Sequence, residues 1–361
     1  MSAKRVVQWL PAAHAGDATG GSALHLAAAL RERGYEASVH ALTIDDSLRD
    51  TVSTMETTPR VGPDDLTLLH FAIPSPLSTR LADQAGVRGI VYHNLTPPSQ
   101  LLPFCPEVAE LTARGGQELR DLAATGAVHH AIGVSEYNCD GLRSAGFAAP
   151  RRLPLALDLS HYDLDADPIV VAGDRADRRT FLTVGRIAPN KSLETFLRAA
   201  AYYLAHIDPH AEFVVVGGDK GLEAYGEALA KLAGELGLDA RLRFAGRVPD
   251  ADLVAWYGAA DVYVCTSLHE GFCAPLLEAM HFGVPVLARH AAAIPETLGD
   301  AGLTFTDDEP AHVAEMLHLM STDEALRDQL LAAGRRRVAQ FRPEIVLGAW
   351  LDAIDEMIGA P

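Results

Sequence analysis

The chain has no Cys-x-x-Cys pair and no His/Cys cluster at metal-ligand spacing; Cys105, Cys139, Cys265 and Cys273 stand apart. That pattern excludes a zinc ribbon and fits reduced thiols better than a disulfide framework. Positive charge is scarce. With 30 Lys and Arg against 48 Asp and Glu, the formal net charge of −18 argues against a nucleic-acid binder or a polybasic membrane anchor. An anionic ligand is not excluded, because screening lets a local pocket of Arg and Lys act independently of distant charge. No apolar run approaches the ~20 residues of a membrane span. The opening MSAKRVVQWLPAAH has too short an apolar stretch for a signal peptide, so a cytoplasmic location is expected. A peripheral membrane contact stays open, although no basic amphipathic helix speaks for it. The dinucleotide fingerprint Gly-x-Gly-x-x-Gly is missing, and no short-period repeat points to a solenoid.

What is present is enough for two cores: 361 residues, 48% of them hydrophobic. The first half opens with a strand, RVVQWLP, a loop of small residues, HAGDATGGSA, and an apolar helix from about Ser22 to Arg33 ended by Gly34. With the strand EASVHAL it makes one βαβ unit, the building block of a doubly wound parallel sheet. Further strands are expected at 65–73, 89–94 and 127–135, then a helix, EYNCDGLRSAG, and a short strand, RRLPLAL. The polar, acidic stretch 161–178 reads as a linker. Its Asp163 and Asp165 form an Asp-x-Asp pair with no strand end beside it, which reads as a solvated loop. Residues 179–340 alternate again, with strands at 180–185, 212–217, 241–245, 261–266 and 284–288 and helices at about 192–206, 221–236, 250–259 and 274–282. The fold class is therefore α/β, with two doubly wound Rossmann-like domains facing across a cleft and ligands at the carboxyl ends of the strands. The last stretch, 341–361, is amphipathic, with Ile345, Trp350, Leu351, Ile354 and Ile358 at helical spacing.

The most informative segment is LHEGFCAPLLEAMHFGVPVLAR, 268–289. Glu270 lies in a loop after an apolar strand, a helix should start near Cys273, and Pro275 suits its first position. Glu278 then lies about one turn in, and Gly283 stops the helix. A strand end, a helix N-terminus and two carboxylates in one small volume suit a phosphorylated, hydroxyl-rich ligand. Taken alone, two glutamates at this spacing could equally be a loop charge and a helix-surface residue.

Glu270 and Glu278, with seven residues between them within EGFCAPLLE, resemble the Glu-x7-Glu motif of the retaining glycosyltransferases of family 4, which have the GT-B fold. GRIAPNKS resembles that family's Gly-Arg-x-x-x-x-Lys segment. The resemblance implies that Arg186 and Lys191 hold the donor diphosphate and stabilise charge on the leaving group, an effect that preorganised cations produce well in a dry cleft. It further implies donor contacts from Gly185, from Gly217 with Gly218 in VVVGGDKG, and from Arg247 and Val248 near the base. Glu278 would bond the ribose, and Glu270 would lie near the sugar with Gly271, Phe272 and Cys273. Many relatives carry Gly where Cys273 stands, so this side chain narrows the expected sugar pocket. The GT-B fold also implies that the final helix crosses back to residues 1–160.

The first domain would bind the acceptor. His93, at the end of IVYHN, resembles the family's cleft histidine, or is a structural histidine bonded to a loop carbonyl. Gly20 and Gly21 either let backbone approach the ligand or make a tight turn. His130, Ser135, Glu136 and Asn138 are candidates for the acceptor side. The reading is a retaining glycosyltransferase that needs no cofactor and no metal. It would move a sugar from a UDP- or GDP-linked donor to a saccharide, a lipid-linked saccharide or a small aglycone, with front-face attack by the acceptor hydroxyl. A nucleotide-sugar epimerase, a phosphorylase of the same fold and a non-catalytic nucleotide-sugar binding protein are the alternatives.

Overall fold

A computed structural model describes residues 4–166 and 178–360; of the expected linker at 161–178, residues 167–177 lie outside the described residues. The chain divides into two compact units. One contains residues 1–98, 107–158 and 340–361, and the other contains 99–106 and 159–339.

The first unit is built on a seven-stranded sheet: β1 (Arg5–Ala13), β2 (Glu36–Ile44), β3 (Ser53–Thr54), β4 (Leu66–Phe71), β5 (Val87–Tyr92), β6 (His130–Gly133) and β7 (Arg151–Arg152). Their order is β3-β2-β1-β4-β5-β6-β7, and all neighbours run parallel. The strands near the middle are nearly continuous apolar runs, as a sheet covered on both faces requires; every residue of LTLLHF in β4 is buried. Alternation along β1 splits the core. Val7 and Trp9 join Leu69 and Phe71 on one face, while Leu10 joins Ala23 and Ala27 on the other.

The helix after β1 runs over Ala18–Arg33, four residues earlier than the sequence suggests. Asp17 explains the difference: its carboxylate accepts the backbone N–H groups of Thr19 and Gly20, so the glycine pair is drawn into the first turn. RRLPLAL yields only a two-residue strand. The C-terminal helix Pro343–Ile358 belongs to this unit, where the Trp350 indole donates to the Pro154 carbonyl at 2.8 Å and the Tyr35 hydroxyl donates to Asp355 at 2.5 Å.

The second unit is a six-stranded parallel sheet: β8 (Thr180–Val184), β9 (Glu212–Val216), β10 (Leu242–Gly246), β11 (Val262–Cys265), β12 (Val286–Arg289) and β13 (Gly302–Phe305). The order is β10-β9-β8-β11-β12-β13. Its core is aromatic, with Phe181, Phe196, Tyr203 and Phe213 fully buried against each other. Residues 99–106 group with this unit, a departure from the expected first domain of 1–160; Phe104 packs edge-on against Tyr225 at 4.9 Å.

Candidate active site

The carboxyl ends of β8, β9 and β10 are laced by backbone hydrogen bonds. Gly185 N–H donates to the Val216 carbonyl at 2.9 Å, Gly217 N–H to Gly246 at 2.8 Å, and Ile187 N–H to Gly218 at 2.9 Å. Gly217 has φ 147°, and a Cβ there would stand 1.8 Å from the Gly185 carbonyl oxygen, so only glycine permits this approach. The lacing brings the GRIAPNKS loop beside the VVVGGDKG loop. Arg186 projects from the edge, exposed, and donates to the Lys220 carbonyl at 2.9 Å. Arg247 lies next to Gly218, where an added Cβ would stand 4.0 Å from the Arg247 Cβ.

A second set of bonds ties the loop after β8 to the loop after β11. Leu268 N–H donates to Asn190 at 2.8 Å, the Asn190 amide to His269 at 3.0 Å, and the Thr266 hydroxyl to the Lys191 carbonyl at 2.8 Å. These bonds bring Lys191 Nζ to 2.5 Å from Glu270 Oε1, with the two side chains 20% and 11% exposed. Burial alone pushes the Lys191 pKa down, but the adjoining Glu270 carboxylate outweighs it and the net shift is upward. Lys191 is therefore held as a cation. With Gly185, Arg186, Cys265 and Ser267, this pair lines one pocket at the strand ends.

Cys273 takes φ 71° and ψ 65° and precedes the helix Ala274–His281, so Pro275 stands second in the helix rather than first. A non-glycine residue in this region carries roughly 1–2 kcal/mol of strain, which fits a position where glycine serves equally well. The Cys273 thiol is buried 3.8 Å from Cys265 Sγ. Cys265, Glu270 and Cys273 place three metal-type ligand atoms within 4.8 Å of one another, a grouping in which the Lys191 ammonium already pairs with the carboxylate. Phe272 is buried and its carbonyl accepts the Thr297 hydroxyl. Glu278 accepts the Tyr257 hydroxyl at 2.9 Å, and Tyr257 stacks on Phe282 at 4.8 Å and 13°. Burial raises the Glu278 pKa, while the Tyr257 bond opposes that rise. Asp163 lies 3.8 Å from His281 Nε2.

In the first unit several candidates have structural tasks. The Gly20 N–H is taken by the Asp17 carboxylate at 3.1 Å and the Gly21 N–H by the Asp17 carbonyl at 2.9 Å, so neither a tight turn nor a free backbone cradle forms there. Ser135 is 1% exposed and caps the helix Glu136–Ala145 through Asn138 N–H. Asn138 is fully buried and its amide donates to the Tyr92 carbonyl at 3.0 Å. Neither can line an acceptor surface. Glu136 is exposed and pairs with Arg143 at 2.7 Å. His130 is the first residue of β6 and so sits at the amino end of that strand, away from the carboxyl edge. His93 directly follows β5 and bonds His70 rather than a loop carbonyl, with Thr19 on its other side. Sequence reasoning passed over Gln8, Thr19, His70 and Tyr257. The available signal was a polar residue inside an apolar strand, Gln8 in RVVQWLP and His70 in LTLLHF.

Among the described residues, no helix is long and apolar enough to cross a membrane. Residues 170–337 match the family described as glycosyl transferases group 1. The chain is 37% identical over 171 residues to a D-inositol 3-phosphate glycosyltransferase from Thermomonospora curvata, a match covering 45% of this chain and 39% of that protein. It is 32% identical over 165 residues to O-antigen chain mannosyltransferase B of Escherichia coli, covering 44% and 41%. The matched region thus spans about two fifths of these relatives. In fold, the chain superposes on a sucrose-phosphate synthase from Thermosynechococcus elongatus with a TM-score of 0.78 at 19% identity, covering 99% of this chain and all of that one. It also superposes on Anabaena HepE solved with UDP-glucose, with a TM-score of 0.76 at 17% identity, covering 97% and 99%. The chain has the GT-B fold of two Rossmann-like units, and residues 170–337, somewhat under half of it, are similar to the group 1 glycosyltransferases.

Proposed function

We propose that this chain is a retaining glycosyltransferase that moves a sugar from a nucleoside diphosphate donor to an acceptor hydroxyl. The observation that carries this reading is the Lys191–Glu270 pair, held at the carboxyl edge of the second sheet beside Arg186. Breaking a sugar–phosphate bond builds negative charge on the departing diphosphate. A cation already fixed in place, and kept charged by its carboxylate, stabilises that charge without reorganising during the reaction. Arg186 supplies a second cation from the same loop, and Glu278 offers a carboxylate to the ribose hydroxyls. Gly217, Gly218, Arg247 and Val248 adjoin the place for the base, and Gly271, Phe272 and Cys273 the place for the sugar.

In this reading the departing diphosphate takes the acceptor proton on the face it leaves, which gives retention, and no divalent metal is needed. UDP-sugars are the first donors to test, since a protein of the same fold was solved with UDP-glucose; GDP-sugars come second. A saccharide, a lipid-linked saccharide and a small aglycone are the acceptor classes to offer. The test is a donor and acceptor panel with the product's anomeric configuration read by NMR, run with and without EDTA. Transfer with retained configuration in EDTA is the expected result. Inverted product, or activity abolished by EDTA and restored by a divalent ion, would overturn the mechanism.

A further inference from the structure

Two of the four cysteines of the second unit's charged site meet each other, and the proposed reaction uses neither thiol. Cys265 is the last residue of β11 and Cys273 directly precedes the helix Ala274–His281. The stretch between them, 266–272, carries Glu270. Both thiols are buried, and their sulfurs stand 3.8 Å apart. The backbone holds the two unequally. Cys265 is fixed in the parallel ladder opposite Ala288 of β12, whereas Cys273 sits at φ 71° without a side-chain cap. Any closer approach of the sulfurs therefore falls on Cys273. Only Gly271 and Phe272 separate Cys273 from Glu270, so such a shift bears directly on the Lys191–Glu270 contact.

Access is one-sided as well. Cys265 lines the pocket at the strand ends beside Lys191 and Glu270, and Cys273 lies behind it. The pocket has a volume of about 10 Å³, room for a molecule close to water in size. Hydrogen peroxide meets that limit and a bulky disulfide such as oxidised glutathione does not. The bond from the Cys273 thiol favours the deprotonated form of Cys265 and disfavours that of Cys273, so Cys265 is the sulfur that reacts first. A divalent ion held by Cys265, Glu270 and Cys273 would have to displace the Lys191 ammonium from Glu270; a disulfide requires no such exchange.

We infer that Cys265 and Cys273 form a peroxide-sensitive dithiol whose disulfide draws the Glu270 loop away from Lys191 and shuts the site. That the site transfers sugar rests on the glycosyltransferase reading; the dithiol and the broken ion pair do not. The Cys265 thiolate attacks one peroxide oxygen and breaks the O–O bond, giving a sulfenic acid and hydroxide, which takes the proton that Cys265 released and becomes water. The Cys273 sulfur then displaces the sulfenic hydroxyl, which leaves as a second water with the Cys273 proton, and the S–S bond forms. Two thiols are thereby oxidised by two electrons, and one peroxide is reduced to two waters.

Mass spectrometry of the whole chain after peroxide treatment tests the dithiol without any turnover. Trypsin cuts after Arg247 and Arg289, so residues 248–289 leave as one peptide that holds both thiols and no other cysteine. Peroxide followed by alkylation should give this peptide unlabelled and lighter by two hydrogens, and dithiothreitol should restore two labelled thiols. In Cys273→Ala, Cys265 should instead be trapped by dimedone as the sulfenic acid. Two labelled thiols after peroxide, or a link to Cys105, Cys139 or a second copy, would overturn the inference. The side-chain 15N signal of Lys191, assigned through Lys191→Arg, should move on oxidation and return on reduction; a fixed signal would overturn the broken ion pair. Transfer by the oxidised protein should fall at least about tenfold and recover with dithiothreitol, while Cys265→Ala should keep its own untreated rate under peroxide. A disulfide formed with undiminished transfer would overturn the shutting of the site. If Cys265→Ala does not fold, the reversal by dithiothreitol in the wild type carries this test. If no donor is turned over at all, the glycosyltransferase reading fails, while the peptide masses and the Lys191 signal still judge the dithiol.

Discussion

The two parallel sheets place different polar groups at their strand ends. In the second unit the edge is charged: Arg186 and Lys191 follow β8, Glu270 follows β11, and Lys191 and Glu270 form a partly buried ion pair. In the first unit the ends of β4 and β5 carry neutral imidazoles linked through Gln8 to the Ala23 carbonyl, and the Asp17 carboxylate after β1 is engaged as a helix cap. A buried charge is retained only with a partner, and a buried neutral donor only with an acceptor. One unit thus holds fixed charge, and the other a chain of hydrogen bonds with fixed direction.

Removing the charged side should have the largest effect. Lys191→Ala strips the cation and leaves Glu270 without its ammonium; kcat/KM should fall at least tenfold, for a loss of about 1.5–3 kcal/mol. Steady-state kinetics showing no change would remove Lys191 from the chemistry and dissolve the contrast between the edges. Tyr257→Phe should act next. Deleting the hydroxyl that donates to Glu278 should weaken nucleotide binding by roughly threefold to tenfold by calorimetry, with kcat nearly unchanged.

The imidazole chain of the first unit is tested by acid. The His70 pKa lies at about 3 in the folded chain against about 6.5 unfolded, so on acidification the unfolded state takes up the proton first. The stability tied to neutral His70 is complete above pH 6.5 and declines as pH falls toward 3. Urea midpoints at pH 7.5 and 5 should therefore fall further for the wild type than for His70→Gln, by about 2 kcal/mol after conversion. Equal slopes would mean that His70 is already charged in the fold. The smallest effect belongs to Gly21, where an added Cβ meets nothing within 4 Å. Gly21→Ala should stabilise the chain by about 0.5–1 kcal/mol with activity retained. Lost activity in a stabilised protein would show that a ligand approaches this turn closely.

Much of the second unit was legible because its signals are local. Glycines, cations and carboxylates stand within a few residues of apolar strand ends, and each loop can be read by itself. GRIAPNKS and HEGFCAPLLE show this most plainly. The first unit hides its arrangement because it is distributed. Gln8, His70 and His93 are joined by sheet order β1-β4-β5, which no short window contains. Ser135 and Asn138 misled for the opposite reason, since a polar residue after a strand is as readily a helix cap or a backbone acceptor's partner as a ligand contact. Asp17 shifted the first helix because a capping carboxylate outweighs the low helix propensity of two glycines.

The contact between Gly217 and the Gly185 carbonyl bears on how this chain can diversify. Any side chain at 217 would push the exit of β8 outward and displace Arg186 and Lys191 together. In a saturation library this site should therefore tolerate nothing but glycine. Position 273, where a thiol already occupies a backbone shape made for glycine, is the place where selection can change the side chain beside Glu270 while the cationic loop stays intact.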